Sequence, residues 1–177
     1  MTHLNTKERY LLEDQKAHEE ICIKKYSSYA NQAQDPQLKQ LFSNHAQHEQ
    51  QHYNTINQIL SGQVPNLNQQ QGQQQQQAQQ QSQPQQAQQA QQAQQAQQLQ
   101  ASPGRIQVGI TNQKDADLCN DMLMTEKYVS STYDTAIFEF RDHNIRNALN
   151  HIQKEEQEHG EAIFAYMQSK GMYNPPQ

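Results

Sequence analysis

The sequence predicts an all-α fold, a four-helix bundle made of two duplicated helical hairpins. Three observations carry that expectation. Apolar residues recur at helical spacing in two outer segments, 5–62 and 114–171. Each segment is divided once by a restart signal, at Asp35-Pro36 and at Asp142. A shift of 107 residues, the difference between Glu126 and Glu19, lays the second segment on the first.

The elements follow in order. Thr6 offers a cap for the first helix, whose apolar positions are Leu12, Ile23, Tyr26, Ala30 and Ala33. Asp35 at an N-cap with Pro36 at the first helical position then starts a second helix, because Pro has no N–H to leave unsatisfied there. Leu38, Leu41, Phe42, Ile56, Ile59 and Leu60 form its stripe, which stops at Ser61-Gly62. Residues 63–113 are a Gln-rich low-complexity linker in which AQQ repeats from Ala87 to Gln97. No apolar face forms in it, so it is expected to be a disordered connection between the second and third helices.

The pattern resumes with Leu118, Met122, Val129, Ile137 and Phe140, breaks at Asp142, and continues through Ile145, Ala148, Leu149, Ile152, Ile163 and Met167. Gly171 is a C-cap signal, and a tail, 172–177, contains Pro175-Pro176, which cannot continue a helix. A segment of about 55 residues buries too little surface to be comfortably stable alone, so both hairpins are expected to form one bundle.

Composition narrows the function. A net charge of −5 with scattered Lys and Arg gives no basic surface for phosphates, so nucleic acid is not an expected partner. No apolar run is long enough to span a bilayer, and Met1 to Asn5 opens no signal-peptide core, so membrane insertion is not expected and synthesis in a cytosol is. Cys22 and Cys119 are too few and too far apart for a disulfide framework or thiolate metal motif, and are expected to be buried and reduced.

The chemistry sits in the repeat. Glu19, Tyr26, Asp35, Glu49, Gln50, His52 and Ile56 fall on Glu126, Tyr133, Asp142, Glu156, Gln157, His159 and Ile163. At about 1.5 Å per residue, Glu19 lies about 24 Å from the turn at Asp35 and Glu49 about 21 Å from it on the returning helix. Two carboxylates therefore meet at one height, and packing the hairpins together brings Glu19, Glu49, His52, Glu126, Glu156 and His159 to one level. All six fall on the inward stripes. Buried ionisable groups are costly unless paired, and a pair of divalent metals is the usual way to neutralise such a set.

One Glu from each of two helices and a Glu-x-x-His from each of the other two is the ligand set of ferritin-like di-iron and di-manganese proteins. The fold class is accordingly ferritin-like, and the expected cofactor is two iron or manganese ions. The alternative is a polar layer in which the six bond to one another without metal. Glu20, Glu155 and Glu158 lie next to the candidates and would replace them if the helix phase were off by one. Tyr26 and Tyr133 are read as core residues with satisfied hydroxyls, His45 as a group beside the site, and His48 as an edge or solvated residue.

Asp35 to Phe42, Asn120 to Tyr128, His151 to Gly160 and Lys170 to Pro175 resemble the coat F family of spore coat proteins. That resemblance implies a ferritin-like bundle made in the mother-cell cytoplasm and deposited in the spore coat. Its implied partners are other spore coat proteins, with homo-oligomers compatible. It implies a structural role more than an enzymatic one. The alternatives, drawn from ferritin-like relatives with a full ligand set, are a rubrerythrin- or manganese catalase-like peroxide-consuming oxidoreductase and a coat metal-storage protein.

Overall fold

A computed structural model of the chain describes residues 3–63 and 112–173. Residues 64–111 of the expected linker and 174–177 of the tail lie outside the described residues, while Gln113, expected in the linker, begins a helix. Within them are four helices and no strand: α1 (Thr6–Gln32), α2 (Pro36–Leu60), α3 (Gln113–Glu139) and α4 (His143–Ser169).

Asn5, not Thr6, caps α1. Its Oδ1 accepts from Glu8 N at 2.8 Å while Glu8 Oε2 accepts from Asn5 N at 2.7 Å, a capping box that satisfies two backbone donors at once. Asp35 caps α2 as expected, and Asp142, read as the break in the second pattern, caps α4; they accept from Gln37 N and Asn144 N, each at 2.8 Å. Gly62 and Gly171 close α2 and α4 with φ of 83° and 68°, the left-handed region that a side chain would strain.

α1 packs on α2 and α3, and α4 on α3 and α2. The hairpins clasp each other reciprocally at their turns. Asp115, in the first turn of α3, accepts from Gln34 N at 2.8 Å and Asp35 N at 2.9 Å, at the far end of α1. Glu8, its counterpart under the 107-residue shift, accepts from Arg141 N at 3.1 Å and Arg141 Nε at 3.2 Å at the end of α3. Burial opposes ionisation of Glu8, but Arg141 and the two amides outweigh it and hold the carboxyl below its ordinary range.

This clasp makes α1 and α3 antiparallel. Consequently α2 ends at the opposite end of the bundle from the start of α3.

The core is drawn from both hairpins, with Leu12, Tyr26, Phe42 and Ile56 against Met122, Tyr133, Leu149 and Ile163, all fully buried. Cys22 and Cys119 are buried and free. Five expected apolar positions are only half-buried: Ile23, Ala30, Leu41, Leu60 and Ile137. The inward stripe of α1 runs Leu12, Gln15, Glu19, Cys22, Tyr26, and that of α3 runs Met122, Glu126, Val129, Tyr133, Ala136, which leaves both isoleucines on the flank. Among the described residues no helix is long and apolar enough to cross a membrane.

Candidate metal centre

The four helices deliver one polar layer into this apolar interior. Glu19, Glu49 and Glu156 are fully buried, and Glu126, His52 and His159 are 2–3 % exposed. Glu20 is half-buried and Glu158 is exposed against Lys154, so the helix phase places the six expected residues inside and not these neighbours. Glu19, Glu49, His52 and Glu156 each offer a donor atom within 4.8 Å of the others, and so do Glu49, Glu126, Glu156 and His159. The two sets overlap in Glu49 and Glu156.

The contacts obey the repeat. His52 Nδ1 lies 2.9 Å from Glu156 Oε1, and His159 Nδ1 lies 3.0 Å from Glu49 Oε1, each histidine reaching into the other hairpin. Tyr133 donates its hydroxyl to Glu19, and Tyr26 donates to Glu126. Yet Glu19 Oε2, Glu126 Oε2, both oxygens of Glu49 and Glu156, and Nδ1 of both histidines have no properly aligned hydrogen bond. Close separation without hydrogen-bond alignment means that the lone pairs converge on shared space instead of on one another's protons.

The protonation pattern is equally symmetric. Burial drives the carboxyls of Glu19 and Glu126 well above their ordinary range, and the Glu156 charge adds to this. Burial also opposes charge on Glu49 and Glu156, but contact with His52 and His159 outweighs it and keeps both ionised. Burial likewise disfavours the imidazolium of His159, and Glu156 and Glu49 override it, raising its pKa to about 9. His52 moves upward for the same reason, with Glu156 foremost among the opposing charges.

The rubrerythrin family matches residues 11–102, just over half of the 177-residue chain. The chain belongs to the rubrerythrin family, within the ferritin-like superfamily. The coat F domain model matches residues 114–177, the second hairpin and the tail. No curated protein and no solved structure matches the chain.

In this rubrerythrin-family bundle the second nitrogen of each layer histidine has its own partner. His52 Nε2 lies 3.0 Å from Glu155 Oε2, and His159 Nε2 lies 3.2 Å from His48 Nδ1. Positions 48 and 155 are equivalent under the 107-residue shift, so one place in the structure holds a carboxylate in one half and an imidazole in the other. His48 stands at the helix edge, as the sequence suggests, but it is half-buried and engaged with His159 instead of solvated. Superposing the repeat on the layer histidines, one turn beyond the apolar stripe, is the signal that finds both residues. His45 is 6 % exposed and lies over His159, with ring centroids 4.2 Å apart. Burial holds its pKa down to about 2 and keeps it neutral.

A cavity of about 490 Å³ opens in the second hairpin and reaches the layer. Exposed Lys127, Ser131 and Asp134 line its outer part, and buried Glu126, Glu156 and Gly160 line its inner part. Gly160 makes the space: a Cβ there would sit 3.7 Å from Leu123 Cδ1 and 3.8 Å from Glu126 Cβ. The equivalent residues of the first hairpin are Tyr53 and Lys16, which pack on each other with Lys16 Nζ 5.2 Å from the ring centre.

Proposed function

We propose that this protein is a structural component of the bacterial endospore coat whose bundle holds two iron or manganese ions between Glu19, Glu49, His52, Glu126, Glu156 and His159. The observation that carries the metal reading is the pair of overlapping donor sets, in which every one of the six residues keeps a buried atom without an aligned hydrogen bond. Such atoms cost about 1–3 kcal/mol each when left unsatisfied, and a polar layer built only for itself would align them. The donor chemistry fits as well. Four carboxylates and two neutral imidazoles carry four negative charges, which two divalent cations would balance.

Glu49 and Glu156, shared by both sets, would bridge the ions. Glu19 and Glu126 would each serve one ion, oriented by Tyr133 and Tyr26. His52 and His159 would complete the two sets, held by Glu155 and His48. The coat F domain supports deposition in the spore coat, where other coat proteins are the expected partners and self-association is compatible with the chain.

The cavity favours a second reading, a peroxide-consuming oxidoreductase. When bound, paired metals supply positive charge at a spacing suited to both oxygens of one small substrate. The chain's part would be to admit a small molecule past Gly160 to Glu126 and Glu156, and to exclude anything that the bundle walls reject.

Metal analysis by plasma mass spectrometry on the full chain, purified without tag or chelator, tests the first reading. About two iron or manganese ions per chain, absent from a Glu49→Ala/Glu156→Ala variant, are expected. No metal, with a melting temperature unmoved by added iron or manganese, would leave the six as a polar layer. Peroxide consumption by the loaded protein faster than by the free ion would select the enzyme, and binding without turnover would select coat structure or storage.

A further inference from the structure

Beside the carboxylate-rich layer stands a second cluster of different chemistry. His45, His48 and His159 each offer a ring nitrogen within 4.8 Å of the others, and no carboxylate belongs to the set. His45 is the informative member. It is more than nine-tenths buried, and neither ring nitrogen has a hydrogen-bond partner. Its neighbours do not serve it: the Tyr26 ring lies 5.3 Å away but commits its hydroxyl to Glu126. A neutral imidazole needs one acceptor and one donor, so this ring leaves two polar groups unsatisfied inside the bundle.

From this we infer that His45, His48 and His159 form a separate binding site for one borderline divalent transition-metal cation of the zinc class. Three imidazole ligands, with His159 giving up a proton as the cation binds, prefer zinc, copper, nickel or cobalt, whereas the carboxylate layer suits manganese and iron. Two nitrogens held about 2.0–2.1 Å from a tetrahedral ion lie about 3.3 Å apart. His48 Nδ1 and His159 Nε2 already stand 3.2 Å apart, a separation in which the cation takes the place of a shared proton. His48 is half-buried and gives the site its contact with solvent, while His45 closes the inner side.

The inference does not depend on metal in the carboxylate layer, because two of its three ligands lie outside that layer. It does link the two. His159 turns Nε2 to His48 and Nδ1 to Glu49, so one ring belongs to both clusters. A cation on Nε2 holds that ring in one orientation and fixes Nδ1 toward the layer.

The cobalt(II) ion alone, an optical stand-in for zinc, tests the inference on the full-length apoprotein. One equivalent should give the strong visible absorption of a low-coordinate imidazole-bound ion, and one equivalent of zinc should bleach it. A Glu19→Gln/Glu126→Gln variant, which strips two carboxylates from the layer and leaves His45, His48 and His159 in place, should keep the band. His45→Phe and His48→Gln should each lose it while the far-ultraviolet helix signal is retained. If His45→Phe fails to fold, His48→Gln at its half-exposed position decides alone. No band in the wild type, or a band that survives His48→Gln, overturns the inference and leaves His45 to an internal water. A band lost in the carboxylate variant but kept in His48→Gln assigns the ion to the layer instead.

Discussion

The two hairpins of this bundle agree in the layer that they share and differ in what surrounds it. Glu19 and Glu126, Glu49 and Glu156, His52 and His159, and Tyr26 and Tyr133 occupy equivalent places and make reciprocal contacts across the interface. Around them the halves diverge. His48 stands where the second half has Glu155, His45 where it has Ile152, and Tyr53 where it has Gly160. A layer duplicated in its donors is thus polarised in its surroundings, closed by an aromatic side chain and lined with imidazole on one side, opened by a glycine on the other.

The largest effects should come from breaking the equivalence within the layer. Glu49 and Glu156 belong to both donor sets, whereas Glu19 and Glu126 belong to one each. Glu49→Gln and Glu156→Gln are therefore expected to abolish binding of both ions, weakening affinity by more than about 100-fold, beyond the cost of losing an orienting partner. Glu19→Gln and Glu126→Gln are expected to remove one ion each. Metal stoichiometry measured on the four variants checks this, and four indistinguishable variants would mean that the overlap has no functional meaning.

Next in size is the divergence at positions 48 and 155. Each residue orients a layer histidine through Nε2, and loss of such a partner typically costs 10–100-fold in metal affinity. Glu155→Gln and His48→Gln should both weaken iron or manganese binding within that range, read by competition with a chelator of known affinity. Glu155→Gln should have the greater effect, because a carboxylate raises the basicity of its imidazole more than a neutral ring does. Equal effects would show that only ring orientation matters.

The difference between Gly160 and Tyr53 predicts a rate. Gly160→Tyr puts an aromatic side chain into the cavity, since the added Cβ itself meets only ordinary contacts with Leu123 and Glu126. Iron(II) uptake by the apoprotein should slow about tenfold, which asks for only about 1.4 kcal/mol of added barrier. Tyr53→Gly in the same chain should restore it by opening the equivalent face. Unchanged uptake in Gly160→Tyr would remove the cavity as the route.

Much of this was legible in the sequence, and the reason is geometric. Helix rise and the restart at Asp35 convert the spacing from Glu19 to Glu49 into a common height, and the shift of 107 repeats the conversion for Glu126 and Glu156. Those relations survive without knowledge of packing. The partners of the histidines did not emerge, because positions 48 and 155 lie on the edges of their helices, and only the bundle decides what an edge faces. Ile23 and Ile137 misled for a related reason: Cys22 and Ala136, smaller and one position earlier, take the inward places. Nor does a glycine in a helix announce a cavity until Leu123 and Glu126 are known to flank it.

The smallest effect compares the two caps that start α2 and α4. Asp35 and Asp142 both accept from backbone amides, but Asp35 also receives Lys170 Nζ at 2.7 Å and the Tyr166 hydroxyl at 3.1 Å. Lys170 is the main cause that holds the Asp35 carboxyl below its ordinary pKa, against a smaller opposing effect of burial. The folded state then binds this proton less readily than the unfolded chain. Its stabilisation is whole above the ordinary Asp value of about 3.9, and is lost as pH falls through the lower folded value. Asn caps helices about as well as Asp, so Asp35→Asn removes the charge and keeps the cap. At neutral pH this variant should lose about 0.2–1 kcal/mol, the usual worth of a partly exposed ion pair, while Asp142→Asn should lose less. Thermal melts from pH 7 to pH 3 should show the Asp35→Asn deficit closing below about pH 4. A deficit that persisted unchanged at pH 3 would assign the loss to packing against Tyr166 and not to charge.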